Sequence, residues 1–86
     1  MSKYVKFEDA TGDEFCIVFP DTLRHVDIAK AITREFHATP VSAGFFTAVQ
    51  DDNDIAPYGK SETLNLESDP KRDKIMLTQC LNRNYV

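Results

Sequence analysis

The sequence predicts an α+β domain of order ββαββα, a four-stranded antiparallel sheet with two helices packed on one face. Three observations carry this. An alternating run over Lys3 to Glu8 and an apolar run over Glu14 to Phe19 flank a turn at Gly12. From His25 to His37 the apolar residues recur at helical spacing. After two further strand-like runs, Asp69-Pro70 opens a second helical pattern. The 86 residues form one domain, 1–86, because a chain of this size buries only roughly 60–65% of its unfolded surface and has no apolar residues to spare for a second core.

Lys3 to Glu8 sets Val5 and Phe7 on one side and Lys6 and Glu8 on the other, which is a half-buried strand. Ala10-Thr11-Gly12-Asp13 supplies the turn. Glu14 to Phe19 follows, with Phe15, Ile17 and Phe19 on one face and Cys16 and Val18 on the other. A strand apolar on both sides is either covered twice or offers one face to a partner. Pro20 stops it. In the helix over His25 to His37, Ile28, Ala29, Ile32 and Phe36 form the buried stripe, and either Thr22 or His25 caps the start. Ala38-Thr39-Pro40 ends it, since the residue before proline disfavours helical geometry.

Val41 to Val49 is the longest uncharged run rich in aromatic and β-branched residues, and reads as the central strand. The loop Asp51-Asp52-Asn53-Asp54 leads to its antiparallel partner, Ile55 to Leu64. There Pro57 cannot donate a ladder hydrogen bond and Gly59 suggests a bulge, so this strand lies at an edge. Asn65 to Ser68 connects to a helix capped by Asp69, with Pro70 at the first position where its missing N–H costs nothing. Met76, Leu77, Cys80 and Leu81, joined by Ile75, make its buried stripe; Asn82 to Val86 is a tail. A strand order of second-first-third-fourth lets the first helix carry the chain back across the sheet.

Two phrases, Ser42-Ala43-Gly44-Phe45 and Tyr58-Gly59-Lys60-Ser61-Glu62-Thr63-Leu64, resemble small proteins encoded by bacteria, their phages and mobile elements. Ser68-Asp69-Pro70 with Asp73, and His25-Val26-Asp27-Ile28-Ala29, extend the likeness over about two thirds of the chain. The resemblance implies a phage or mobile-element origin. It carries no activity and no site residue.

Composition bounds the partners. Lys and Arg number 10 against 14 Asp and Glu, a net charge of −4. Nucleic-acid binders carry a basic stripe, and the one basic cluster, Lys71-Arg72-Lys74, is interrupted by Asp73 and reads as a solvated helix face. No nucleic-acid partner is expected. No apolar run reaches the length of a membrane span and Met1-Ser2-Lys3 leads straight into a strand, so the expectation is a cytoplasmic protein with no membrane partner. Cys16 and Cys80 then read as buried thiols, without Cys-x-x-Cys spacing.

Catalytic patterns are weak. Cys16, His25 and Asp27 form a conceivable nucleophile, base and orienter, but a thiol inside an apolar strand is inert. Asp51 to Asp54 begins like a calcium loop yet lacks the glycine such a loop needs at its sixth position. His25 and His37 stand at opposite ends of one helix, roughly 18 Å apart at 1.5 Å per residue, too far to share a metal. Asp27 to Ile32 resembles the start of a helix-turn-helix, but Val41 to Val49 has no basic or amide side chain to read bases. No cofactor and no metal are expected.

Surface remains. With both helices on the Val5, Phe7, Phe15 face, the other face collects Tyr4, Cys16 and Val18, one of Phe45 and Phe46, and Tyr58. Exposed aromatics on a sheet mark an interaction site, unless the tail with Tyr85 folds over them or a helix sits there. The expectation is a small non-enzymatic protein-interaction module, binding an unidentified protein or a second copy of itself through that face or the fourth-strand edge. Tyr4, Phe46 and Tyr58 form its centre, with Ser61 and Glu62 at the rim. The alternatives are a thiol enzyme or redox protein using Cys16 or Cys80, and an acidic nucleic-acid mimic built on Glu8 to Glu14 and Asp51 to Asp54.

Overall fold

The computed structural model describes residues 2–49 and 54–83. Its elements are β1 (Ser2–Glu8), β2 (Glu14–Pro20), α1 (His25–Phe36), β3 (Thr39–Val49), β4 (Asp54–Tyr58), β5 (Lys60–Ser61), β6 (Leu66–Glu67) and α2 (Pro70–Arg83). The antiparallel sheet runs β2-β1-β3-β4, the order expected, with Val5 opposite Ile17 on one side and Ala43 on the other. The α+β class therefore holds, and so does the element order apart from the short β5 and β6 between β4 and α2. The acidic tip Asp51 to Asn53 and the tail with Tyr85 lie outside the described residues.

Local chemistry explains the boundaries. In the first hairpin Asp9 Oδ1 accepts hydrogen bonds from the Thr11 and Asp13 amides at 2.9 and 3.1 Å, while Gly12 takes φ +89°. An aspartate closing the turn on its own backbone and a glycine at positive φ are what a tight reversal needs. Helix α1 starts at Arg24 with no side-chain cap, so neither Thr22 nor His25 plays that part. It ends where His37, left-handed at φ 51°, returns its N–H to the Thr33 carbonyl. Asp69 does cap α2, accepting from the Arg72 amide at 3.5 Å, with Pro70 first in the helix.

Two features depart from the sequence reading. The β1–β3 register shifts between Lys6 and Phe7, paired with Ser42 and Pro40, so Val41 is the extra residue of a bulge and points to solvent. The fourth strand is shorter than predicted. Gly59, at φ +77°, ends it, and the chain continues into the two-stranded β5–β6 ribbon.

The helices do not share a face. Ala29 of α1, with Ile28 and Ile32, packs on Val5, Phe7, Phe19 and Ala43. Leu77 of α2, with Met76 and Leu81, packs on Tyr4, Cys16, Phe46 and Ile55. Successive residues of a strand point to opposite faces, so the sheet is the middle layer between α1 and α2. The prediction of two helices on one face is thereby corrected. The physical reason is the double apolarity of β1 and β2: Tyr4, Cys16 and Val18 need a cover as much as Val5, Phe7 and Ile17 do, and α2 provides it. Within the helices, Phe36 and Ile75 are exposed rather than buried; Phe36 meets the Phe15 ring edge-on at 6.4 Å.

Candidate functional site

The second face is closed by a polar hub. Asp73 is 0% exposed on α2 and lies over the β1–β3 seam. Its Oδ1 is 2.9 Å from Lys6 Nζ and accepts from Ser42 Oγ at 3.0 Å. Its Oδ2 accepts from the Tyr4 hydroxyl and from the Asp69 amide, the latter at 2.8 Å. Lys6 also reaches Glu14 at 3.8 Å. Burial pushes the Asp73 carboxyl up, but the four donors outweigh it and hold the group below its ordinary value. The same burial, with the carboxylate beside it, drives the Tyr4 phenol far above its usual range. No described buried side-chain polar atom lacks a partner.

This geometry relocates the predicted interaction residues. Tyr4 (0% exposed) and Phe46 (5%) are core, touching edge-to-face at 6.3 Å beneath α2. They form no surface patch, and the sheet has no helix-free face. Ser61 is buried too, at 2%, its Oγ accepting from the Leu64 amide to shape the turn between β5 and β6. Tyr58 and Glu62 remain at the surface. It is Phe45, not Phe46, that points to the α1 side.

That side holds an open cavity of about 470 Å³ lined by Lys3, Arg24, His25, Phe45, Lys60 and Glu62, with Ser61 and Thr63 at its end. Phe45 is its floor. Tyr58 stacks on it with ring centroids 5.9 Å apart, and Lys3 Nζ stands 5.9 Å from the Phe45 centroid while donating to the Leu23 carbonyl at 2.9 Å. His25 wedges between Phe19 and Phe45, and its Nε2–H donates to the Gly44 carbonyl at 2.9 Å. Burial lowers the His25 pKa, which keeps the ring neutral. Three cations and one carboxylate border this cavity in a protein of net charge −4.

Three of the five predicted residues, Tyr58, Ser61 and Glu62, thus gather around one surface, and Tyr4 and Phe46 lie across the sheet from it. Lys3, Arg24 and Lys60 were missed. Alternation in β1 places Lys3 on the Val5 face, but only the strand order sets it opposite Phe45. The two phrases of the sequence resemblance also meet here: a Cβ on Gly44 would lie 2.6 Å from the Tyr58 carbonyl oxygen.

The thiol constellation is dispersed. Cys16 faces α2, whereas His25 belongs to α1 and packs on the opposite side of the sheet, so they form no nucleophile–base pair. Cys80 Sγ lies 3.7 Å from the Cys16 carbonyl oxygen, and burial pushes the Cys16 thiol up to about 12. Among the described residues no cluster of three potential metal ligands occurs, and no helix is long and apolar enough to cross a membrane. No protein-family model matches the chain, and neither does any curated protein or solved structure.

Proposed function

We propose that this chain is a small non-enzymatic protein-interaction module whose binding surface is the Phe45–Tyr58 stack and the cavity beside it. One observation carries the reading: Tyr58, 37% exposed, is braced against Phe45 at the border of a cavity ringed by Lys3, Arg24 and Lys60. A rigid aromatic anchor with basic and polar groups around it is the composition of interface hot spots. The partner is a protein segment with an apolar side chain for the cavity and an acidic one for its rim. A phage or mobile-element origin remains part of the proposal. Against the thiol alternative stands the raised pKa of Cys16. Against the acidic mimic stands the use of Asp9 within its own turn.

The test is affinity capture from a bacterial lysate with three baits: the parent chain, Tyr58→Ala with Lys60→Glu, and Phe36→Ser as a surface control on the other end of α1. A protein held by the parent and the control but lost from the double variant, and eluted by moderate salt, is the expected result. Identical captures by all three baits would rule the surface out.

A further inference from the structure

The two edges of the sheet are not protected alike. β4 spans Asp54 to Tyr58, carries Pro57 and ends at a positive-φ glycine, three devices that discourage further pairing. β2 is the longer edge, and between Glu14 and Pro20 it has no charge and no proline: Phe15-Cys16-Ile17-Val18-Phe19.

Hydrogen bonding at the hairpin fixes which backbone groups of β2 point outward. The Asp9 amide donates to the Asp13 carbonyl at 2.9 Å, which marks that pair as hydrogen-bonded. Along the register, Phe7·Phe15, Val5·Ile17 and Lys3·Phe19 are then the bonded pairs, and Glu8·Glu14, Lys6·Cys16 and Tyr4·Val18 the non-bonded ones. On β2 the N–H and C=O of Glu14, Cys16 and Val18 therefore face away from β1. Two contacts agree. The Pro20 carbonyl, in the same phase, accepts from the Leu23 amide at 3.1 Å, and the Cys16 carbonyl accepts from Cys80 Sγ at 3.7 Å. A carbonyl has a second lone pair, so the weak thiol donor leaves Cys16 able to pair.

We infer that β2 pairs antiparallel with β2 of a second copy of this chain, about a two-fold axis at Cys16, joining the two sheets into one. Self-complementarity singles out this occupant and this register. Glu14 meets Val18 of the second copy, Cys16 meets Cys16, and Val18 meets Glu14, so every outward donor and acceptor is used. Moving the axis to Ile17 brings Glu14 against Pro20, which has no N–H to return, and sets Asp13 against Asp21. The Cys16 axis puts Asp13 beside Phe19 and no like charges face each other. Side chains agree as well: Phe15 falls opposite Ile17 on the α1 face, an aromatic and β-branched pair, and both are only half-buried in the single chain. Exposed Phe36, in contact with Phe15, extends that apolar margin.

Amide hydrogen exchange of the full chain at two concentrations, alongside sedimentation velocity, tests this directly. The expected result is a monomer–dimer equilibrium in which the Glu14, Cys16 and Val18 amides exchange roughly tenfold or more slowly in the concentrated sample. Phe15, Ile17 and Phe19, bonded to β1, stay protected in both. Val18→Pro, which deletes an outward N–H and no ladder bond to β1, shifts the equilibrium to monomer with its circular dichroism unchanged. A monomer at every concentration overturns the inference, and so does a dimer in which those three amides exchange as in the dilute sample.

Discussion

Tyr4 on the first strand donates its phenolic hydrogen bond to Asp73 on the last helix, although 69 positions separate them. With Lys6 and Ser42 on the same carboxylate, this bond fastens α2 to the sheet. Asp73→Ala leaves the Lys6 ammonium, 4% exposed, with Glu14 at 3.8 Å as its remaining ion pair among the described residues. The expected loss is about 3–5 kcal/mol, much of the stability of a small domain. Tyr4→Phe, which leaves the carboxylate its other three partners, costs about 1–2 kcal/mol. Urea unfolding measures both. Equal losses for the two variants would contradict the central role of Asp73.

The hub also sets an acid limit. Asp73 has a lowered pKa in the folded chain, so the unfolded chain binds its proton first. Its contribution is complete above the unfolded value of 3.8 and is lost as pH falls through the lower folded value. His25, also lowered, contributes above 6.5 and begins to lose that contribution below it. Stability should therefore decline in two stages on acidification. Asp73→Asn, less stable at neutral pH, should show a flattened lower stage when unfolding is followed from pH 7 to pH 2.

Cys16 should be chemically silent. With its thiol pushed up to about 12 beneath α2, it stays protonated near neutral pH. Labelling with a maleimide at pH 7.5 should modify Cys16 only after denaturant is added, as read by peptide mass mapping. Rapid modification of the native chain at Cys16 would revive the thiol alternative.

Gly44→Ala should be costly although its backbone conformation suits any residue. The new methyl would meet the Tyr58 carbonyl at 2.6 Å and Ser68 Cβ at 3.2 Å, forcing β3 and β4 apart. Overpacking of this kind costs about 1–3 kcal/mol. Because the shift moves Tyr58, affinity for the captured partner should fall with thermal stability. A change in neither would mean the strands part without strain.

Much of the architecture was legible because it rests on local patterns. The alternation from Lys3 to Glu8 and the apolar run from Phe15 to Phe19 gave two strands, the spacing of Ile28, Ala29 and Ile32 gave a helix, and Asp69-Pro70 gave the start of another. The side on which α2 packs was not local. Tyr4, Cys16 and Val18 look the same in sequence whether a helix or a partner covers them. Asp73 was hidden by its neighbours: within Lys71-Arg72-Asp73-Lys74 it reads as one charge of a solvated face. Its spacing to Leu77, Cys80 and Leu81 was the available signal, since that places it on the buried stripe. Of the surface proposed for binding, Tyr58 and Glu62 were readable from the edge strand. Lys3 and Arg24 enter only when the strand order folds β1 and the start of α1 onto Phe45.

The hub joins the earliest strand of the sequence to its last helix, and this has a consequence for how the chain is made. While residues 70–83 are still unsynthesised or undocked, the Lys6 ammonium has no Asp73, and one face of the sheet, with Tyr4, Cys16 and Phe46, lies bare. Contacts of such long sequence separation form late and slowly. A chain whose α2 has not yet docked is thus more adhesive than the folded one, and α2 acts as a clasp that ends this exposure.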